Sequence, residues 1–193
     1  PDNSGLAFVV IQHLSPDYKS LMAEILGKYT SMMVLQAENG MEVEPNIVYL
    51  IPPKKNMTIK NGRLLLTDYV HGAINHPIDT FLASLAEERK AHALCVILSG
   101  TGSDGTSGIK SIKEHDGLVL VQDPASAKFD GMPRSAINTG LADFVLPPRE
   151  LAEEILNFSN YPAIVDISDN EELFSDKDTL SLIYLTMKRV SGI

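Results

Sequence analysis

The 193 residues are 44% hydrophobic and 21% charged, enough to bury one sizeable core and too apolar for a chain disordered throughout. Sixteen basic against 25 acidic residues leave a net charge of −9, which argues against a protein whose main task is neutralising nucleic-acid phosphates. The longest apolar run, around Leu94 to Leu98, has strand length and falls far short of the ~18 residues of a membrane span, so no membrane insertion is expected. The lone Cys95 inside that run has no internal disulfide partner and reads as a small core residue in a reducing compartment. The chain opens on Pro1 and stops just after a helix-like segment, and a piece of a longer protein is expected.

Four continuous apolar runs read as buried strands: "LAFVVI" (6–11), "IVYLI" (47–51), "LCVIL" (94–98) and "LVLVQ" (118–122). Runs of this kind, without alternation, suit a parallel sheet covered on both faces. Between them lie helical stripes. Leu21, Met22, Ile25 and Leu26 form one; Phe81, Leu82 and Leu85 form another, with Pro77 and Asp79 as start signals. Further helices are expected over about 108–115, over 133–138 with Gly140 as the stop, and over 149–159. Asn61-Gly62 between two strand-like segments predicts a local hairpin over 57–67. The expected fold is therefore a three-layer α/β/α domain with a mainly parallel sheet, occupying residues 1–157.

Beyond it the character changes. Residues 158–178 are acidic and irregular and read as a linker. In residues 179–193, Leu180, Ile183, Tyr184, Met187 and Val190 fall on one helical stripe, an amphipathic face in search of a partner.

The stretch with most chemistry is "ILSGTGSDGTSG" (97–108). Its Gly100-x-Gly102-x-x-Gly105 follows a strand, opens a helix and is trailed by Asp123 at the end of the next strand, most of a dinucleotide-binding fingerprint. Asp104 opposes that reading. It would sit where a pyrophosphate must lie, and two like charges ~4 Å apart cost roughly 4 kcal/mol at an effective dielectric of ~20. The same helix N-terminus would favour a fixed carboxylate, so Asp104 is either a helix cap or a catalytic group. His13 follows the strand "FVVIQ" and lies, like Asp104, just past a strand's carboxyl end, the edge where open α/β sheets gather their chemistry. A base and its orienter is the reading this pair suggests, with the nucleophile lacking.

Three segments carry a resemblance. "VVIQHLSP" (9–16), "ILSGTGSDGTSGI" (97–109) and "QDPASAKFDGMPRSAINTGLADFVLP" (122–147) resemble the catalytic domain of the chemotaxis protein-glutamate methylesterases, the CheB family. The resemblance implies a cytoplasmic, cofactor-free hydrolase in which a Ser-His-Asp triad removes methyl esters from glutamates on the cytoplasmic helices of chemoreceptors. It places the histidine on His13 and the aspartate on Asp104, suggests the Thr101 backbone N–H as an oxyanion donor, and puts Met132 and Arg134 beside the cleft. The family's serine lies in a Gly-x-Ser-x-Gly-Gly turn upstream of the histidine, and no such turn occurs in this chain. Ser4, Ser15, Ser99 and Ser103 read as ordinary loop or cap serines, so these residues alone are expected to be inactive. "DTLSLIYLTMKRVSGI" (178–193) is similar to the first helix of the receptor methyltransferases, the CheR family, and implies a fused methyltransferase partner. A dinucleotide-binding module and a non-catalytic interaction module remain the alternatives. His71, His76, His92 and His115 show no ligand spacing, and no metal is expected.

Overall fold

The computed structural model describes residues 3–12, 21–70, 72 and 74–160. His13, Ser15 and the segment 161–193, with its expected linker and amphipathic helix, lie outside the described residues. In chain order the elements are β1 (Phe8–Val10), α1 (Met22–Leu26), β2 (Met33–Gln36), β3 (Met41–Glu42), β4 (Ile47–Leu50), β5 (Lys55–Lys60), β6 (Arg63–Asp68), α2 (Pro77–Arg89), β7 (Leu94–Ile97), α3 (Thr106–Glu114), β8 (Leu118–Gln122), α4 (Gly131–Ile137), β9 (Phe144–Leu146) and α5 (Pro148–Asn160).

They form two parallel sheets, ordered β1-β4-β2 and β7-β8-β9, and one antiparallel sheet ordered β3-β6-β5. The second parallel sheet is covered on both faces. Cys95, Ile97, Val119 and Val121 point into a cluster with Ile78, Leu82, Ile109 and Ile112 of α2 and α3. Leu94, Val96 and Leu120, one residue out of phase, point the other way, onto Phe144 and Leu151 of β9 and α5. This alternation gives the three-layer arrangement and explains why these strands are apolar throughout.

Helix α2 joins the two halves. Ile78, Leu82 and Ala86 face the sheet of β7, while Phe81 enters a second cluster with Tyr49, Met57, Ile59 and Leu64. The expected hairpin forms with Asn61 and Gly62 at φ 51° and 70°, the two positive values a type I′ turn requires. Glu88 of α2 pins it, accepting from the backbone N–H of Asn61 (3.0 Å) and Gly62 (2.7 Å).

Helices α2 and α3 approach so closely that a Cβ on Gly108 would lie 2.5 Å from Leu82 Cβ and 2.8 Å from its Cδ1. Glycine-to-alanine exchange inside a helix ordinarily gains about 1 kcal/mol of propensity, whereas forcing a methyl into a packed core costs about 1–3 kcal/mol. Leu82 Cβ is fixed by its own backbone, so overpacking wins. Gly108→Ala is expected to lower stability by up to about 2 kcal/mol in urea titration, and a variant more stable than wild type would contradict this packing.

Burial pushes the Cys95 thiol up to about 12. Below ~8.5 the thiol is neutral folded or unfolded; above it only the unfolded chain ionises, so this group withdraws stability as pH rises from there towards its folded value. Iodoacetamide at pH 8 is expected to leave Cys95 unmodified in the folded protein and to alkylate it in urea, as mass spectrometry would read.

Candidate active site

The loop between β7 and α3 turns sharply, with Gly102 and Gly105 at φ 90° and 103° where L side chains are strained. The turn presents Asp104, only 8% exposed, to the N-terminus of α2. Pro77 at the start of α2 has no N–H, and Thr80 N–H already reaches His76 O (3.0 Å). The two remaining donors of the first turn go to Asp104: Ile78 N–H to Oδ2 (3.1 Å) and Asp79 N–H to Oδ1 (3.0 Å).

Asp79 returns the arrangement. Its Oδ1 accepts from Gly105 N–H (2.9 Å) and Gly108 N–H (2.8 Å) at the start of α3. Two helix N-termini thus face each other, and each positive end is closed by a carboxylate from the other segment. This corrects the expectation that Asp104 would be fixed by the helix that follows it: the N-terminus it caps belongs to α2. It also weighs against the dinucleotide reading, since two α3 amides that would cradle a pyrophosphate are already bound to Asp79.

The outer side of the loop is tied to the segment after β8. Ser99 N–H donates to the buried Gln122 Oε1 (2.8 Å), whose Nε2 donates to Ser126 O (3.1 Å). The Ser99 hydroxyl donates to Phe129 O (3.2 Å) and accepts from Phe129 N–H (2.9 Å), which is the work of a loop serine. Gly100 N–H bonds Phe129 O, and Met132 N–H bonds Gly100 O, both at 2.9 Å. The Met132 thioether fills the space a Gly100 side chain would take. Thr101 is exposed between these anchors, and its backbone N–H has no acceptor among the described residues.

The structure therefore brings Asp104, Thr101 and Met132 together on one loop and its support. Arg134 is exposed one turn into α4, and its Nε donates to Asp130 Oδ2 at 2.6 Å. That hydrogen bond holds the Asp130 carboxyl below its usual range. The strand that leads to His13 passes close by, for Ile11 packs against both core clusters that α2 bridges.

Tyr69 borders the site; burial, and then the nearby Asp104 charge, push its phenol up. His76 Nδ1 lies 3.8 Å from Asp104 Oδ1, and ligand atoms of His76, Asp79 and Asp104 all fall within 4.8 Å of one another. Sequence spacing gave no hint of this trio. Its carboxylates are already committed to backbone amides, so the geometry is explained by capping without an ion. Between α3 and α4, a shallow groove of about 550 Å³ opens beside the loop, lined by Ser103, Thr106, Ser135 and Thr139, the Asn138 amide and Lys110.

Fold and loop together define an α/β domain that holds a buried carboxylate and an exposed backbone N–H at the carboxyl end of a parallel strand. The same architecture is found in the Thermotoga maritima CheB methylesterase catalytic domain, a crystal structure with a TM-score of 0.74 and 33% identity, over 82% of this chain and 86% of that one. Residues 1–155 match the family described as CheB methylesterase, and the chain belongs to that family. Among curated relatives, the protein-glutamate methylesterase/protein-glutamine glutaminase of Thermotoga maritima is 34% identical over 161 residues, covering 81% of this chain and 47% of that protein. An uncharacterised 104.1 kDa protein of Rhodobacter capsulatus is 43% identical over 125 residues, 65% of this chain but 13% of that protein. A putative protein of the same methylesterase/glutaminase description from Leptospira interrogans is 32% identical over 156 residues, covering 79% of this chain and 80% of that protein. The chain thus spans about half or less of the first relatives it matches.

Proposed function

We propose that this chain is the base-and-orienter part of a protein-glutamate methylesterase, acting on methylated chemoreceptor helices in the cytoplasm. The observation that carries the reading is Asp104, fixed at the carboxyl end of β7 by two amides of α2 and flanked by the Thr101 N–H. Its support is the family match across residues 1–155.

In this mechanism His13 takes the proton of a serine supplied by chain not among these residues, and the serine oxygen adds to the ester carbonyl carbon. Thr101 N–H donates to the oxyanion that forms. Collapse breaks the bond to methoxide, which leaves as methanol with the proton from His13. Water, deprotonated by His13, then releases the glutamate carboxylate and restores the serine. Asp104 accepts from the other ring nitrogen of His13 and holds the tautomer.

The groove beside the loop suits a polar, acidic substrate helix: it carries hydroxyls, an amide and Lys110, with no carboxylate in its lining. The long Rhodobacter relative is compatible with such a domain working inside a larger chain, and a fused methyltransferase beyond residue 178 belongs to the same reading.

The test is methanol release from methylated receptor fragments by the protein extended N-terminally through the preceding strand and turn. Release that depends on His13 supports the proposal. Silence of the extended protein would favour a docking module without catalysis.

A further inference from the structure

We infer that Asp79 is a positioning residue of this site: by holding the N-terminus of α3, it sets the loop that carries Asp104 and Thr101. The inference rests on the methylesterase reading for its kinetic consequence and on the hydrogen bonds alone for its structural one.

The two carboxylates are coupled through the backbone. Asp79 Oδ1 accepts from Gly105 (2.9 Å), the residue after Asp104, and from Gly108 (2.8 Å). Asp104 in turn accepts from the N–H of Asp79 itself (3.0 Å) and of Ile78 (3.1 Å). Gly105 stands at φ 103°, and a Cβ there would lie 3.1 Å from both Ile78 and Ile97, so the loop has little room to resettle by another route. Removing the Asp79 carboxylate leaves two amides at the start of α3 without their acceptor and releases the turn on which Asp104 is mounted. A displacement of about 1 Å at a catalytic group costs on the order of a hundredfold in rate.

Asparagine at this position keeps an oxygen that can accept both amides, whereas alanine keeps none. In the N-terminally extended protein, Asp79→Ala is expected to lower kcat for methanol release by about 10- to 100-fold with KM changed less than about threefold, and Asp79→Asn to recover most of the loss. Amide hydrogen exchange supplies the second arm. Asp79→Ala should raise exchange at Gly105 and Gly108, which it touches, and also by about tenfold at Ile78, which only Asp104 holds. Should Asp79→Ala fail to fold, Asp79→Ser, whose hydroxyl oxygen sits one bond closer to the backbone than Oδ1 and so falls short of the two amides, is read in the same way. Unchanged protection at Ile78 beside lost protection at Gly105 would overturn the inference, as would wild-type kcat in a folded Asp79→Ala. Absence of methanol release from the wild-type extended protein would fall on the esterase reading alone, and the Ile78 amide would still decide whether Asp79 positions Asp104.

Discussion

Asp104→Asn is expected to lower kcat for ester hydrolysis by about a thousand- to ten-thousandfold in the N-terminally extended protein, and His13→Ala to lower it at least as far. In the proposed mechanism the aspartate acts as an anion aimed at the base, both to hold the tautomer and to stabilise the imidazolium that forms. An asparagine amide presents either a weaker acceptor or a donor in that place. A structural cost accompanies the catalytic one. Both Asp104 oxygens accept backbone N–H groups of α2, from Ile78 and Asp79. Asparagine has one acceptor oxygen and must turn its NH₂ towards one of those donors, which costs about 1–3 kcal/mol. Activity should therefore be measured per folded molecule, with thermal melting alongside. Turnover within tenfold of wild type by either folded variant would remove the assignment.

Ile109→Ala is expected to be the more damaging for stability. Ile109 is completely buried on the inner face of α3, in the cluster with Ile78, Leu82, Ile97 and Val121. Removing its outer atoms loses their transfer free energy and leaves a cavity that cannot collapse easily, because α2 already meets α3 at Gly108 and Ile78 and Ile97 stand against Gly105. The expected cost is about 2–5 kcal/mol in urea titration. For a chain of this size that amounts to a fall in Tm of roughly 4–20 °C, at about 2–4 °C for each kcal/mol. A cost below about 1 kcal/mol would show that the α2/α3 contact is looser than the structure has it.

Much of this fold was legible in the sequence because local chemistry determines it. The strands over 47–50, 94–97 and 118–122 are continuous apolar runs, and their burial on both faces of a parallel sheet is why they read that way. Asn61-Gly62 dictated the hairpin through its two positive φ values, and Pro77 marked the first turn of α2. The short strands Met33–Gln36, Met41–Glu42 and Phe144–Leu146 were not legible. Each is at a sheet edge, and each is too short or too exposed to show a period; their pairing with β4, β6 and β8 is what makes them strands.

The candidate site divides in the same way. Asp104 could be singled out because glycines mark the loop and a strand precedes it, whereas Thr101 entered only through the family resemblance. Asp79 could not: in sequence it is a helix-start signal for its own segment, and its true partners, Gly105 and Gly108, are 26 and 29 positions away. Gln122 reads as the end of a strand, yet its amide anchors the loop at Ser99. The sequence by itself determined the layers, the hairpin and which loop carries the carboxylate, since these follow from hydrophobic period, glycine and proline. Only the tertiary structure decided that α2 and α3 meet N-terminus to N-terminus and exchange carboxylates, because each helix end leaves amide donors that its own segment cannot satisfy.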